Sequence, residues 1–179
     1  MSFDPDAYEV LEESQRLGFL GERDVAEVIE HARAFVGALT DVSGVVVDLG
    51  SGGGVPGLVI AHDRPDLRVI LVDRRAKRTD FLERAVRRLR WNDRVSVLCA
   101  DASALRSRID DVSAVVARGF GPPREALSFG AGIVRSGGRI VISEPPSGDR
   151  WAVDAFVDLG VVRVDDGSGQ VSIFARTGA

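Results

Sequence analysis

At 179 residues, 45% apolar and 28% charged, with mean hydropathy near zero, the chain has the composition of one globular domain with at most a short appendage, and disordered and fibrous classes are excluded. One cysteine (Cys99) and two histidines (His31 and His62) exclude a disulfide framework and a Cys/His zinc cluster. No apolar run approaches the ~20 residues of a membrane helix, and the acidic start MSFDPDAYEVLEESQ does not read as a secretory signal, so a reducing, cytoplasmic setting without membrane or metal is expected.

The net charge of −4 conceals an asymmetry. Residues 1–44 carry ten acids against three bases, whereas residues 64–94 carry eleven bases against five acids. Lys77 is the only lysine; a GC-rich genome produces such an arginine bias by itself, so it is not read as recognition chemistry.

In chain order, residues 1–44 read as helical. A short helix is expected around Ala7 to Leu17, ended by Gly18. A longer one follows Asp24, with Val25, Val28, Ile29, Ala32, Phe35, Val36 and Leu39 on one stripe. From Gly44 the pattern changes to strands alternating with helices. Val45–Leu49 has apolar residues on both parities, as a buried parallel strand does. A glycine cluster and a short helix (Pro56–His62) follow, then strand Arg68–Asp73 and an amphipathic helix Ala76–Arg90. Strands Arg94–Cys99 and Ser113–Ala117 come next, then helix Arg124–Val134. Strand Arg139–Ser143 is introduced by a Gly137-Gly138 turn, and helix Arg150–Leu159 follows it. Val161–Val164 and Val171–Ala175 close the chain around the turn signal Asp166-Gly167-Ser168-Gly169. So short a connection forces antiparallel pairing. The expectation is an α/β, Rossmann-like, doubly wound sheet of seven mostly parallel strands with an antiparallel C-terminal strand. Helices lie on both faces, and residues 1–43 form a helical segment packed on the sheet formed by 44–179.

The strongest motif is Asp48-Leu49-Gly50-Ser51-Gly52-Gly53-Gly54-Val55-Pro56-Gly57. It contains GxGxxG at Gly52, Gly54 and Gly57, follows the first strand and opens a helix, with Asp73 at the end of the second strand to accept ribose hydroxyls. Two cofactor classes use that arrangement: nicotinamide dinucleotides, NAD(P), and S-adenosylmethionine. Asp48, read as lying at the mouth of the loop, would repel a pyrophosphate and favour an ammonium; its other reading is a cap on the following turn. Asp101, after the third strand, reads either as an adenine contact or as a helix N-cap. Three successive strands ending in acids beside one crevice are more specific than any one of them.

With those residues in view, the chain resembles class I S-adenosylmethionine-dependent methyltransferases. More narrowly, it resembles the RsmG family, also called GidB, whose members methylate N7 of a guanine in small-subunit ribosomal RNA. The resemblance runs from Val45 to Glu144. It rests on DLGSGGGVPG, on LVD followed by Lys77-Arg78 and Phe81-Leu82, on VVARGF (Val115–Phe120) and on GGRIVIS (Gly137–Ser143). It implies cofactor contacts at Gly50, Val55, Ala102, Ser103 and Arg118, with Asp73 on the ribose. The chain departs from the family in three places: Ser103 replaces an acid, Glu144 a lysine, and Ala32-Arg33-Ala34 follows His31 where an Asp-Ser pair follows the family's histidine. A divergent methyltransferase acting on another RNA or a small molecule, an NAD(P)-dependent oxidoreductase and a silent binding module stay open as other readings.

Guanine N7 has a free lone pair, so an enzyme acting there needs alignment rather than a general base. Arg118 is the positioning candidate, for cofactor or substrate. Phe120 can stack on a base or pack in a core. Cys99, inside a strand pattern, reads as a small buried hydrophobe rather than a nucleophile. Tyr8 is the only tyrosine and lies in the N-terminal segment, so the sequence offers no dehydrogenase-like catalytic Tyr-Lys pair. Arg74, Arg75, Lys77 and Arg78 begin an arginine-rich run that suits RNA phosphates, although Asp80–Arg84 and Glu83–Arg87 also suit a solvated helix. Ribosomal RNA or the small ribosomal subunit is the expected partner, and a monomer the expected state.

Overall fold

Two aspartates open the chain's helices. Asp4 accepts a hydrogen bond from Ala7 N–H (3.1 Å) and Asp24 from Ala26 N–H (2.7 Å), so α1 runs Pro5–Arg16 and α2 runs Val25–Ala38. Gly18, at φ +72°, turns the chain out of α1. In this computed structural model the described residues are 3–145, 151, 156–164 and 169–178.

The sheet follows: β1 Val45–Leu49, β2 Arg68–Asp73, β3 Val95–Cys99, β4 Val112–Ala117, β5 Val134–Ser143, β6 Val161–Val164 and β7 Val171–Arg176. Their order is β3-β2-β1-β4-β5-β7-β6. The first five pair in parallel, and β7 runs antiparallel to both β5 and β6. The strand order therefore reverses at β1, between β2 and β4, which is where open α/β sheets form a crevice at their carboxyl ends.

Alternation along β1 sorts the core into two. Val46, with Ala114 and Val116 of β4, faces α1, α2, α3 (Gly57–Asp63) and α4 (Ala76–Arg88), packed around Phe35, Leu58 and Phe81. Val47 and Leu49, with Val115, face α5 (Pro123–Ile133) and the 3-10 turn Ala102–Ser107. Helices α1 and α2 share the first core with the sheet through Val10, Leu11, Ala32 and Phe35, each at most 1% exposed.

Three expectations change. Helix α4 stops at Arg88, because Arg90 takes φ +58° and ends the helical run. Gly137 and Gly138 do not precede β5 but lie within it: Gly137 has φ +73°, and the β4–β5 register shifts there as a bulge. Cys99 is exposed, not buried, because β3 is an edge strand and the cysteine closes it; its Sγ lies 3.9 Å from the Arg74 carbonyl oxygen. Of the expected helix Arg150–Leu159, the described residues show only the short 3-10 turn Val157–Leu159, and residues 150 and 152–155 lie outside them. Residues 166–168 of the expected final turn also lie outside the described residues.

Candidate active site

The crevice at the switch point is an open cleft of about 360 Å³. Leu49 and Gly50 reach it from β1, Val72 to Arg75 from β2, Ala100 to Ala102 from β3, Gly119 to Gly121 from β4, and Glu125 and Phe129 from α5. Gly50 sits at φ +70°, and a Cβ there would come within 2.7 Å of the Phe120 ring, so the bare backbone lets Phe120 close over the loop.

Hydrogen bonds set the loop's shape. Ser51 N–H donates to Val72 O (2.8 Å), and the Ser51 hydroxyl donates to Asp48 O (2.9 Å) while accepting Val72 N–H (3.0 Å), which staples β1 to β2. From the other side, the Ser14 hydroxyl of α1 donates to Gly53 O (2.8 Å). Any Cβ at Gly53 would meet Ser14 Oγ at 2.5 Å and Leu20 at 2.7 Å. Neither serine was a sequence candidate. Ser14 does carry a signal: it is a polar residue continuing the buried α1 stripe Ala7, Val10, Leu11.

The three acids part company. Asp73, 5% exposed, lines the cleft. Its Oδ2 accepts Gly52 N–H (3.0 Å) and a longer bond from Arg78 Nη1 (3.4 Å), and its Oδ1 accepts Arg75 N–H (2.9 Å). Asp101 also lines it and caps the 3-10 turn, accepting from the Ser103 hydroxyl (2.7 Å) and N–H (3.0 Å), bonds that hold its carboxyl below the ordinary range. Asp48 does not lie at the mouth of the loop. On the even parity of β1 it points to the helical face, fully buried, where Oδ2 accepts Gly57 N–H (3.1 Å) at the start of α3. Its Oδ1 has no hydrogen-bond partner, and burial pushes the carboxyl up to about 7, opposed by the nearby Ser51 hydroxyl, by the Gly57 bond and by the Arg118 charge.

Arg118 follows Asp48 rather than the crevice. It continues the parity of Val116, its charge acts on Asp48, Arg23 and His31, and burial lowers its pKa. His31 is likewise held low, first by burial and then by Arg118 and Arg23. Of the other expected contacts, Gly50 and Ala102 line the cleft. Gly52 meets it through its bond to Asp73. Val55, 4% exposed, belongs to the core beneath the loop, and Ser103 is engaged with Asp101.

The basic run also divides. Arg74, Arg75 and Arg78 rim the cleft, and Lys77 is exposed beside them on α4. Farther along, Arg84 bonds the Asp80 carbonyl (3.2 Å), Arg87 pairs with Glu83 (4.0 Å) and Arg88 with Glu9. Arg94 bonds Ala61 O (2.7 Å) and lies over Trp91.

The sequence profile of the GidB family, described as rRNA small subunit methyltransferase G, matches residues 8–144. The chain belongs to the GidB family. Curated relatives named ribosomal RNA small subunit methyltransferase G agree: that of Corynebacterium efficiens is 30% identical over 90% of this chain and 69% of its own length. That of Kineococcus radiotolerans is 29% identical over 90% of this chain and 68% of its own. Among solved structures, the chain resembles a precorrin-6y C5,15-methyltransferase from Geobacter metallireducens (TM-score 0.60, 18% identity, 80% of this chain and 85% of that one). It also resembles the [4+2]-cyclase SpnF (TM-score 0.66, 18% identity, 89% of this chain and 70% of that one). The fold is that of class I methyltransferases, and a cyclase on it shows that GidB membership rests on the sequence rather than on the scaffold.

Proposed function

We propose that this GidB-family chain is an S-adenosylmethionine-dependent methyltransferase acting on N7 of a guanine in small-subunit ribosomal RNA. The observation that carries the reading is the family match across residues 8–144, spanning every strand that ends at the cleft. Charge in the cleft does not itself choose between an ammonium and a pyrophosphate, since Asp73, Asp101 and Glu125 line it with Arg74, Arg75 and Arg78. The family match supports the ammonium-bearing cofactor.

The residues present fit the cofactor. Asp73 would take a ribose hydroxyl, because a carboxylate has about four acceptor sites and Asp73 uses three, one of them in a long bond to Arg78 (3.4 Å). Gly50 offers bare backbone, and Ala100, Asp101 and Ala102 would border the adenine. When bound, S-adenosylmethionine supplies a methyl group on a positively charged sulfur. The chain's part is to hold the acceptor in line and exclude water. N7 uses its own lone pair, so no residue need take a proton. Arg74, Arg75, Lys77 and Arg78 would meet RNA phosphates at the rim. Arg118 would act on the cofactor only at a distance, by holding Asp48 and the loop above it.

Calorimetric titration with S-adenosylmethionine and with NADH tests the cofactor. The expected result is micromolar binding of the first and no heat with the second; no binding at millimolar S-adenosylmethionine would overturn the reading. Incubation with small ribosomal subunits, followed by mass spectrometry of the RNA, is expected to yield 7-methylguanine.

A further inference from the structure

A second pocket, about 220 Å³, opens between the ends of β4 and β5. Gly119, Phe120 and Gly121 line both it and the cleft, so one phenylalanine is common to the two. Five apolar side chains line the second pocket with it: Ala117, Pro123, Ala126, Ile142 and Pro145. Ser143 and Glu144 complete the lining; Glu144 is buried, and its Oε1 accepts the Trp151 indole N–H (2.5 Å). The attitude of the Phe120 ring follows from its distances to the glycine loop. A Cβ at Gly50 would meet Cδ2 at 2.7 Å and the two ring atoms bonded to it, Cγ and Cε2, both at 3.6 Å. That pattern is an approach in the plane of the ring, so Phe120 turns its edge to the loop and keeps its faces for other partners. Phe129, a cleft residue, crosses it at 87° with centroids 5.8 Å apart. An aromatic ring is positive at its edge and negative over its faces.

We propose that Phe120 is a catalytic residue of the methyl transfer: the target purine leaves its RNA stack, enters the second pocket and lies on the Phe120 face, which holds the methylated, cationic base more tightly than the neutral one. The inference rests on the methyltransferase reading above and names the residue that takes the base. Two kinds of surface then divide the RNA. Its phosphates would meet Arg74, Arg75 and Arg78 on the β2 side of the cleft, and its base the apolar side at β4 and β5. A base between the ring and the side chains of Ile142 and Pro145 recovers contacts that it gives up on leaving the RNA. Its N7 edge then turns toward the cleft past Gly119, where even an added Cβ would meet nothing within 4 Å.

The chemistry makes the face selective. The N7 lone pair forms the new bond to carbon, the sulfur–methyl electron pair stays on sulfur, and no proton moves. The purine gains the positive charge that the sulfur loses. Neutral guanine meets the negative face by stacking; the developing cation adds a cation–π attraction to it. The contact is therefore stronger in the transition state than in the bound substrate, which is the condition for raising the rate.

The test compares wild type with three variants. Phe120→Tyr keeps an aromatic face, Phe120→Leu keeps apolar bulk without one, and Ala126→Leu narrows the second pocket from a residue outside the cleft lining. Each is assayed for methyl transfer to small ribosomal subunits and for S-adenosylmethionine binding by calorimetry. Binding of subunits before and after methylation by wild type is then measured without cofactor at mildly acidic pH, where the methylated guanine keeps N1–H and its full charge. Phe120→Leu and Ala126→Leu are expected to lose about 10- to 100-fold in kcat/KM with cofactor affinity near wild type, and Phe120→Tyr to keep most of the activity. Wild type is expected to bind methylated subunits about 3- to 30-fold more tightly than unmethylated ones, and Phe120→Leu to bind the two alike. Phe120→Leu that loses cofactor affinity and kcat/KM in parallel, or that keeps the wild-type binding ratio, overturns the proposal. So does a folded Ala126→Leu with wild-type kcat/KM. If the leucine variants do not fold, a wild-type binding ratio near one has the same force. Each of these leaves the methyltransferase reading standing, whereas wild type that methylates no guanine refutes the function itself.

Discussion

The crevice has two walls of different construction. Along β1 to β3, polar groups are bonded within the chain: Ser51 to Val72, Asp73 to Gly52 and Arg75, Asp101 to Ser103. Along β4 and β5, Arg118 turns to the helical face, Gly119 and Gly121 leave left-handed backbone bare, and Phe120 fills the space. One wall is assembled by hydrogen bonds before any ligand arrives. The other is shaped by ring packing, with room to admit a second group. An enzyme that must hold a donor firmly while accepting a large substrate gains from that division.

The largest expected effect probes how deeply the first wall is buried. Asp48 is pushed up to about 7 from 3.8, so between those values the folded protein holds a proton that the unfolded chain releases. Its contribution is complete below about pH 4 and is lost as pH rises to about 7, on the order of 4 kcal/mol. Asp48→Asn cannot ionise, so urea unfolding from pH 4 to pH 8 should show wild type losing stability relative to the variant; parallel curves would contradict the burial. Gly57→Ala comes next, at about 3 kcal/mol by thermal melting, because its Cβ would meet Leu71 and lie 2.6 Å from Asp48 Oδ2. On the second wall, Gly119→Ala has nothing within 4 Å and should cost only the ~1 kcal/mol of a side chain at φ +67°. Equal costs at the two glycines would erase the contrast between the walls.

Ligand binding sharpens it further. Asp73→Ala should weaken S-adenosylmethionine about 100-fold by calorimetry, whereas exposed Asp101→Ala should weaken it only a few-fold. Ser14→Ala should cost about 1–2 kcal/mol of stability by leaving Gly53 O without its donor. The smallest effect is at the rim: Arg74→Ala or Arg75→Ala should reduce the salt-dependence slope of RNA binding by just under one each, and Arg87→Ala, paired with Glu83, should not.

The first wall was largely legible in the sequence and the second was not. Alternating β-branched runs and a glycine cluster between them carry strand positions and loop chemistry in a few adjacent residues, so Gly50, Asp73, Asp101 and Ala102 could be placed without coordinates. Asp48 was misread because strand parity, not proximity to the glycines, decides which face a carboxylate takes: two residues before Gly50 it falls with Val46 on the helical side. The same parity keeps Arg118, the expected positioning residue, out of the cleft lining and beside Asp48. Ser14 grips Gly53 across 39 positions, and Glu144 comes to line a pocket with Phe120 only through the parallel pairing of β4 with β5, so neither relation leaves a local pattern. Cys99 looked buried because an edge strand and a central strand share one alphabet.

That cysteine has a practical consequence. It is the one thiol in the sequence, it is exposed, and it abuts the backbone of Arg74, which borders the cleft. A maleimide fluorophore would therefore attach at a single point beside the entrance without any engineered mutation. Its emission would report, in real time, the arrival and departure of whatever the enzyme holds.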